Sequence, residues 1–145
     1  MRAARELGLP VVLHVVRAHD VAPRILREER VADVGGVIHS FSGPADLVPV
    51  YLRLGLALSF AGAVTWPGAR RPVGAARAVP DDHLLAETDA PDQAPTPRRG
   101  GRNEPAFLGD VIAGLAAARG QAPAAVAATT AAAARRVFPR AAPWW

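Results

Sequence analysis

Three side chains in this sequence have types and positions that suit a common chemistry. His14 stands in the run Val11-Val12-Leu13-His14-Val15, His39 in Gly36-Val37-Ile38-His39-Ser40, and Asp89 directly after Leu84-Leu85-Ala86-Glu87-Thr88. Each run is short and apolar, the pattern of a buried strand, and each polar residue falls at or just past its C-terminal end. Two imidazoles and a carboxylate are nitrogen and oxygen donors that suit Zn²⁺, Mn²⁺ or a similar divalent ion. Taken singly, each residue has a plainer reading. A lone strand-end histidine is commonly a hydrogen-bonded structural residue, and an Asp before Ala-Pro is commonly a turn residue or helix cap. Three of them on three strand ends, in register, favour a metal site.

The elements that must carry these groups follow from the apolar pattern. Met1–Leu7 reads as the last turns of a helix closed by Gly8, with Pro10 shortly after to prevent continuation. Strands are expected at Val11–Val15, Gly36–Ser40, Ala57–Phe60 and Leu84–Thr88. Helices are expected at Val21–Arg30, at Ser42–Leu54 closed by Gly55, around Pro72–Val79, at Glu104–Arg119 and at Pro123–Val137. Pro49 falls inside the second of these, where an interior proline costs about 3 kcal/mol unless the helix starts late or kinks.

Strands alternating with helices at this spacing make a parallel sheet covered by helices. The fold class is α/β, with about four β/α units. A closed (β/α)8 barrel takes about 250 residues, so this chain has material for about half of one. A complete small doubly wound sheet is the alternative, but it requires a Gly-rich phosphate loop after the first strand, and His14-Val15-Val16-Arg17 is nothing like one. A barrel also gathers the C-terminal ends of its strands around one pocket, which is where His14, His39 and Asp89 would stand.

Composition narrows the classes further. A chain of 145 residues forms one domain with a single core. It has no cysteine, so disulfides and thiolate metal sites are excluded, which fits a cytoplasmic protein. There is no uncharged apolar run of about eighteen residues, so no membrane-spanning helix is indicated. A net charge of +4 invites a nucleic-acid reading, but every basic residue is Arg and none is Lys. With Ala, Gly and Pro abundant, that bias fits the codon usage of a GC-rich genome, and charge by itself specifies no partner.

The motifs now name a family. LPVVLHVVRAHD (Leu9–Asp20), GVIHSFSG (Gly36–Gly43), LGLALSFAGAVTWP (Leu54–Pro67), LLAETDAP (Leu84–Pro91), GRNEPAFL (Gly101–Leu108) and a closing ARRVF (Ala134–Phe138) occur in this order. Together they resemble the TatD-type metal-dependent hydrolases from Leu9 to Phe138, and the fold expected is a partial TIM-type barrel of the metal-dependent hydrolase kind. The resemblance implies a TatD-like deoxyribonuclease, a 3′–5′ exonuclease acting on DNA or another phosphodiester with two divalent ions (Mg²⁺, Mn²⁺ or Zn²⁺). It implies that His14 and His39 bind one ion, and that Asp89 binds the other and acts as the catalytic group that positions the attacking water. Glu87, Asn103 and Glu104 would border the pocket in support or weak substrate-contact roles. Such ions neutralise the phosphodiester and activate the nucleophile, roughly 3.5–4 Å apart in two-metal sites. Arg17 and His19, just past the first strand, are candidates for phosphate contact, or else a solvated loop pair.

The sequence departs from the family pattern in ways that shape the expectations. The family opens with a His-x-His strand and later carries a Glu-bearing strand; neither is found here. One ion would keep His14 and His39, the other only Asp89, whereas a catalytic zinc normally has three protein ligands. Ala133 stands where the family tends to have Asn. The expectation is a C-terminal half of such a barrel, residues 1–145, exposing strand edges at Val11–Val15 and Leu84–Thr88 through which copies could self-associate. Its barrel-facing side should lack a partner layer. Two functions remain open: a phosphodiesterase completed by ligands from elsewhere, and a non-catalytic remnant or weak binding module.

Overall fold

The structure is a computed structural model and describes residues 1–144. Four strands, β1 (Val11–His14), β2 (Gly36–His39), β3 (Leu56–Phe60) and β4 (Leu84–Ala86), form one sheet in the order β1-β2-β3-β4 with every neighbouring pair parallel. The connections carry helices: α1 (Arg2–Leu7) precedes β1, α2 (Ala22–Glu28), α3 (Val48–Leu52) and α4 (Arg70–Ala78) link successive strands, and α5 (Leu108–Arg119) and α6 (Pro123–Val137) follow β4. This is the α/β arrangement of parallel strands and covering helices that the sequence predicts.

Alternation along the strands divides the sheet into two faces. Leu13, Ile38, Leu56, Leu58, Phe60 and Leu84 point one way into the main core, with Tyr51, Val79, Val111, Leu115 and Val126 from the helices. The other face begins with Val37, Ala57 and Leu85, which pack on Ala133 and on Ala134, Val137 and Phe138 from the end of α6 and just beyond. This corrects the expectation of a bare barrel-facing side: α6 turns onto it, and a small residue at Ala133, fully buried, lets the helix approach. On β1 that face stays open: Val12, opposite Val37 in the register, is 61% exposed, and His14 is exposed as well.

Several boundaries differ from the sequence reading for local reasons. The expected helix Ser42–Leu54 begins late, as a 3₁₀ turn at Ala45–Leu47 followed by α3 with Pro49 in its first turn. There the missing N–H costs nothing, because first-turn donors have no intrahelical acceptor. The helix expected from Glu104 likewise opens with a 3₁₀ turn at Pro105–Phe107 before α5. β2 stops at His39 because Ser40 enters the left-handed region at φ 49°. β4 stops at Ala86, so Glu87 lies just past the ladder, although its N–H still donates to Phe60 O at 3.0 Å. Among the described residues, no single helix is long and apolar enough to cross a membrane.

Candidate metal centre

The register that pairs β1 with β2 sets His14 directly beside His39, both at the C-terminal ends of their strands. Their rings meet at 2.7 Å, His14 Nδ1 to His39 Nε2, with centroids 4.8 Å apart. The other nitrogen of His39, Nδ1, faces the carboxylates that follow β4: Glu87 Oε1 at 3.4 Å and Asp89 Oδ1 at 3.9 Å. Acceptors on that side favour a proton on His39 Nδ1, which leaves Nε2 as the lone pair and makes His14 Nδ1 the donor between the rings. Thus His39 divides the site, with imidazole on one side and carboxylate on the other.

The carboxylates are held in place from outside the cluster. Glu87 Oε1 accepts the backbone N–H of Ser40 at 2.6 Å. Asp89 adopts φ 57°, and the loop it begins is fastened by Asn103. Asn103 is buried, donating from Nδ2 to Thr88 O at 2.6 Å and Asp92 O at 2.5 Å, and accepting from Glu104 N–H through Oδ1 at 2.9 Å. Ser40, Asp89, Gln93 and, after β1, Arg17 all hold left-handed φ between 49° and 57°. For residues with a Cβ each costs about 1–3 kcal/mol, strain that gathers where surrounding contacts over-determine the backbone.

The other residues singled out in the sequence are distributed unevenly. Glu87 joins the cluster. Asn103 borders the cleft beside Glu104 and spends both amide protons on the carbonyls of Thr88 and Asp92, a supporting contact within the protein. Glu104 is exposed and lines an open cleft of about 430 Å³ with Ala90, Pro91, Arg102 and Pro105. Arg17 is exposed in the loop after β1. His19 is packed rather than fully solvated: its Nδ1 meets Tyr51 Oη at 2.7 Å, and its ring packs edge-on against Phe41 and Tyr51. Burial holds its pKa below the usual imidazole value, against an opposing pull from Asp20, and burial raises that of the Tyr51 phenol. Ser40 and Gln93 join the site without having been singled out: Ser40 sits inside the GVIHSFSG segment with no role read for it, and a loop glutamine such as Gln93 looks ordinary in any chain.

On donor chemistry, the cluster fits a borderline divalent ion, with His14 and His39 as its nitrogen ligands. Two nitrogens ligating one zinc at about 2.0–2.1 Å stand roughly 3.4 Å apart, so the rings would part slightly and give up their mutual hydrogen bond. The carboxylates lie on the far side of His39 and do not complete that pair's shell. Among the described residues no group of three His, Asp or Glu side chains closes around one point.

Known proteins share this arrangement of strands and motifs. The profile of the TatD-related DNases matches residues 1–139. The chain belongs to that family. Its relatives include the uncharacterized metal-dependent hydrolase YcfH of Escherichia coli K12, 43% identical over 122 residues, which cover 84% of this chain and 46% of YcfH. The 3′-5′ ssDNA/RNA exonuclease TatD of Musicola paradisiaca is 36% identical over 144 residues, 93% of this chain and 53% of that one. The crystal structure of YJJV, a TatD homolog from Escherichia coli K12, superposes with a TM-score of 0.87 at 29% identity, over 95% of this chain and 53% of its own. This TatD-family chain therefore spans about half the length of the relatives it matches. As homologues named metal-dependent hydrolases indicate, divalent metal use is a property of the family.

Proposed function

We propose that this chain supplies the C-terminal part of a metal-dependent phosphodiesterase that removes nucleotides from the 3′ end of single-stranded DNA. The observation that carries the reading is the His14–His39 pair at adjoining strand ends, with Glu87 and Asp89 on the other side of His39. Relatives named as 3′-5′ ssDNA/RNA exonucleases support nucleic acid as the substrate class. A bound divalent ion would neutralise phosphate charge and acidify the attacking water. The chain's own residues do the rest. His14 and His39 would hold one ion through ring nitrogens, and Glu87, fixed by the Ser40 N–H, would keep the His39 ring turned the right way. Asp89 would ligate a second ion and take the proton of the attacking water. A cytoplasmic location and self-association through strand edges belong to the same proposal.

A second reading, a binding module without turnover, is favoured by one observation: the described residues present two imidazoles and separate carboxylates, not a closed ligand set. Calorimetric titration and digestion of labelled single-stranded DNA separate the two. The chain by itself should bind Zn²⁺ weakly, lose that binding on His14→Ala or His39→Ala, keep it on Asp89→Asn, and cleave little DNA. Extended upstream to the full length of its relatives, it should bind more tightly and cleave in a chelator-sensitive way. An extended chain that binds metal without cleaving any phosphodiester would establish the binding module. Equal loss of Zn²⁺ from all three substitutions would mean one shared site.

A further inference from the structure

Nothing in the sequence singles out Gln93, yet its side chain ties together the ends of two strands. Its Nε2 donates to Asp89 Oδ2 and to Ser40 Oγ, the latter at 2.6 Å. Both amide protons are therefore committed. Flipping the amide would turn Oε1 onto an anionic oxygen, so the network itself selects the orientation. Ser40 in turn donates its backbone N–H to Glu87 Oε1 at 2.6 Å, which makes one chain of contacts from Gln93 to both carboxylates.

The loop that presents Gln93 is pinned from below. A Cβ on Gly62 would stand 1.8 Å from Gln93 O, so only glycine there admits the loop. Trp66 Nε1 donates to Ala94 O at 2.9 Å, and Thr96 N–H donates to Thr65 Oγ1 at 2.8 Å. The amide is thus delivered by a fixed backbone to a half-buried position against Asp89.

For Asp89 the consequence is an asymmetric carboxylate. Oδ2 is taken by the amide, while Oδ1 faces His39 Nδ1 at 3.9 Å. We infer that Gln93 is a positioning residue that restricts Asp89 to a one-oxygen role, with Oδ1 the oxygen offered to a divalent ion. The inference rests on the metal-dependent reading above. A neutral amide suits this role, because an Arg or Lys in its place would orient the carboxylate but also cancel the charge that attracts the ion.

The test uses the whole chain and two metals, because Mn²⁺ favours carboxylate ligands and Zn²⁺ the imidazole pair. By calorimetry, Gln93→Leu should weaken Mn²⁺ binding about tenfold, the scale of losing a partner that orients a ligand. Zn²⁺ affinity should stay within about twofold, since its imidazole ligands are untouched. In an Asp89→Asn background Gln93→Leu should cause no further loss of Mn²⁺. Unchanged Mn²⁺ affinity in Gln93→Leu overturns the assignment, as does a loss that persists without Asp89. Equal loss of both metals does so too, since it marks a collapsed loop. A parent chain that binds no Mn²⁺ sinks the metal reading only, and Gln93 is then decided without metal by NMR. Its side-chain amide protons should shift on Asp89→Asn and on Ser40→Ala, and resonances unchanged in both variants overturn it.

Discussion

His39 shows how one side chain can organise a site through its two nitrogens. Nε2 meets His14 and Nδ1 meets the carboxylates, so a single ring fixes which side chains share a side. His19, by contrast, spends its ring on packing. Burial lowers its pKa below 6.5 in the folded protein, so the unfolded chain takes up that proton first as the pH falls. Its contribution to stability is fully present above about pH 6.5 and is lost as the pH drops from there through the lower folded value. Urea midpoints followed in chelator between about pH 5 and 8 should fall more steeply for the parent than for His19→Gln, in which that difference is gone. Parallel curves would show that His19 is protonated equally in both states.

At the scale of elements, the loop after β4 depends on the 3₁₀ turn after β3. Gly62 in that turn faces Gln93 O, Gln93 C and Pro95 N, all backbone atoms within 3.0 Å of a would-be Cβ. Backbone cannot swing aside as a flexible side chain can, so Gly62→Ala has to push the Asp89–Gln93 loop off its seat. A loss of about 1–3 kcal/mol is expected from such overpacking. The contrasting case is Gly74 inside α4, where an added Cβ meets nothing within 4 Å. Gly74→Ala should stabilise by about 0.5–1 kcal/mol through lower backbone entropy in the unfolded chain and better helix propensity. Denaturant midpoints of the two variants, read against the parent, should therefore move in opposite directions. Movement the same way would show that space around the glycine does not govern the effect.

For the molecule as a whole, the two edges of the sheet are unequal. β4 is three residues long, and α6 packs against it. β1 is an edge whose surroundings are apolar: Val12 is 61% exposed and Val16 55%, with Leu7, Val21 and Ile25 from flanking segments also exposed. Unpaired strand N–H and C=O groups beside apolar side chains invite association. Sedimentation velocity should show the isolated chain associating as its concentration rises. Val12→Lys should suppress this by placing a charge where the edge would be covered. A parent that stays monomeric at all concentrations would leave the β1 edge stable in water as it is.

Local pattern was enough for much of this protein. Short apolar runs announced all four strands, and α6 runs over Pro123–Val137 as proline at its start and the Ala-rich stretch after it suggest. Histidines placed at strand ends, with an ETDAP segment downstream, were also legible, because a parallel sheet gathers those ends whatever the loops between them do. What sequence could not convey were effects that arise only when distant segments meet. Which nitrogen of His39 faces which partner depends on the β1–β2 register and on a loop more than forty residues later. Asn103 was expected at the pocket border from its motif, and the backbone carbonyls that bury its amide appeared only when Thr88 and Asp92 were brought against it. His19 looked solvated until α3 delivered Tyr51. Gln93 had no signal at all, since its role comes from the left-handed turn that aims it and the glycine that admits its backbone. Strands and their polar ends are set by neighbours in the chain, whereas the hydrogen bonds that orient the site are set by neighbours in space.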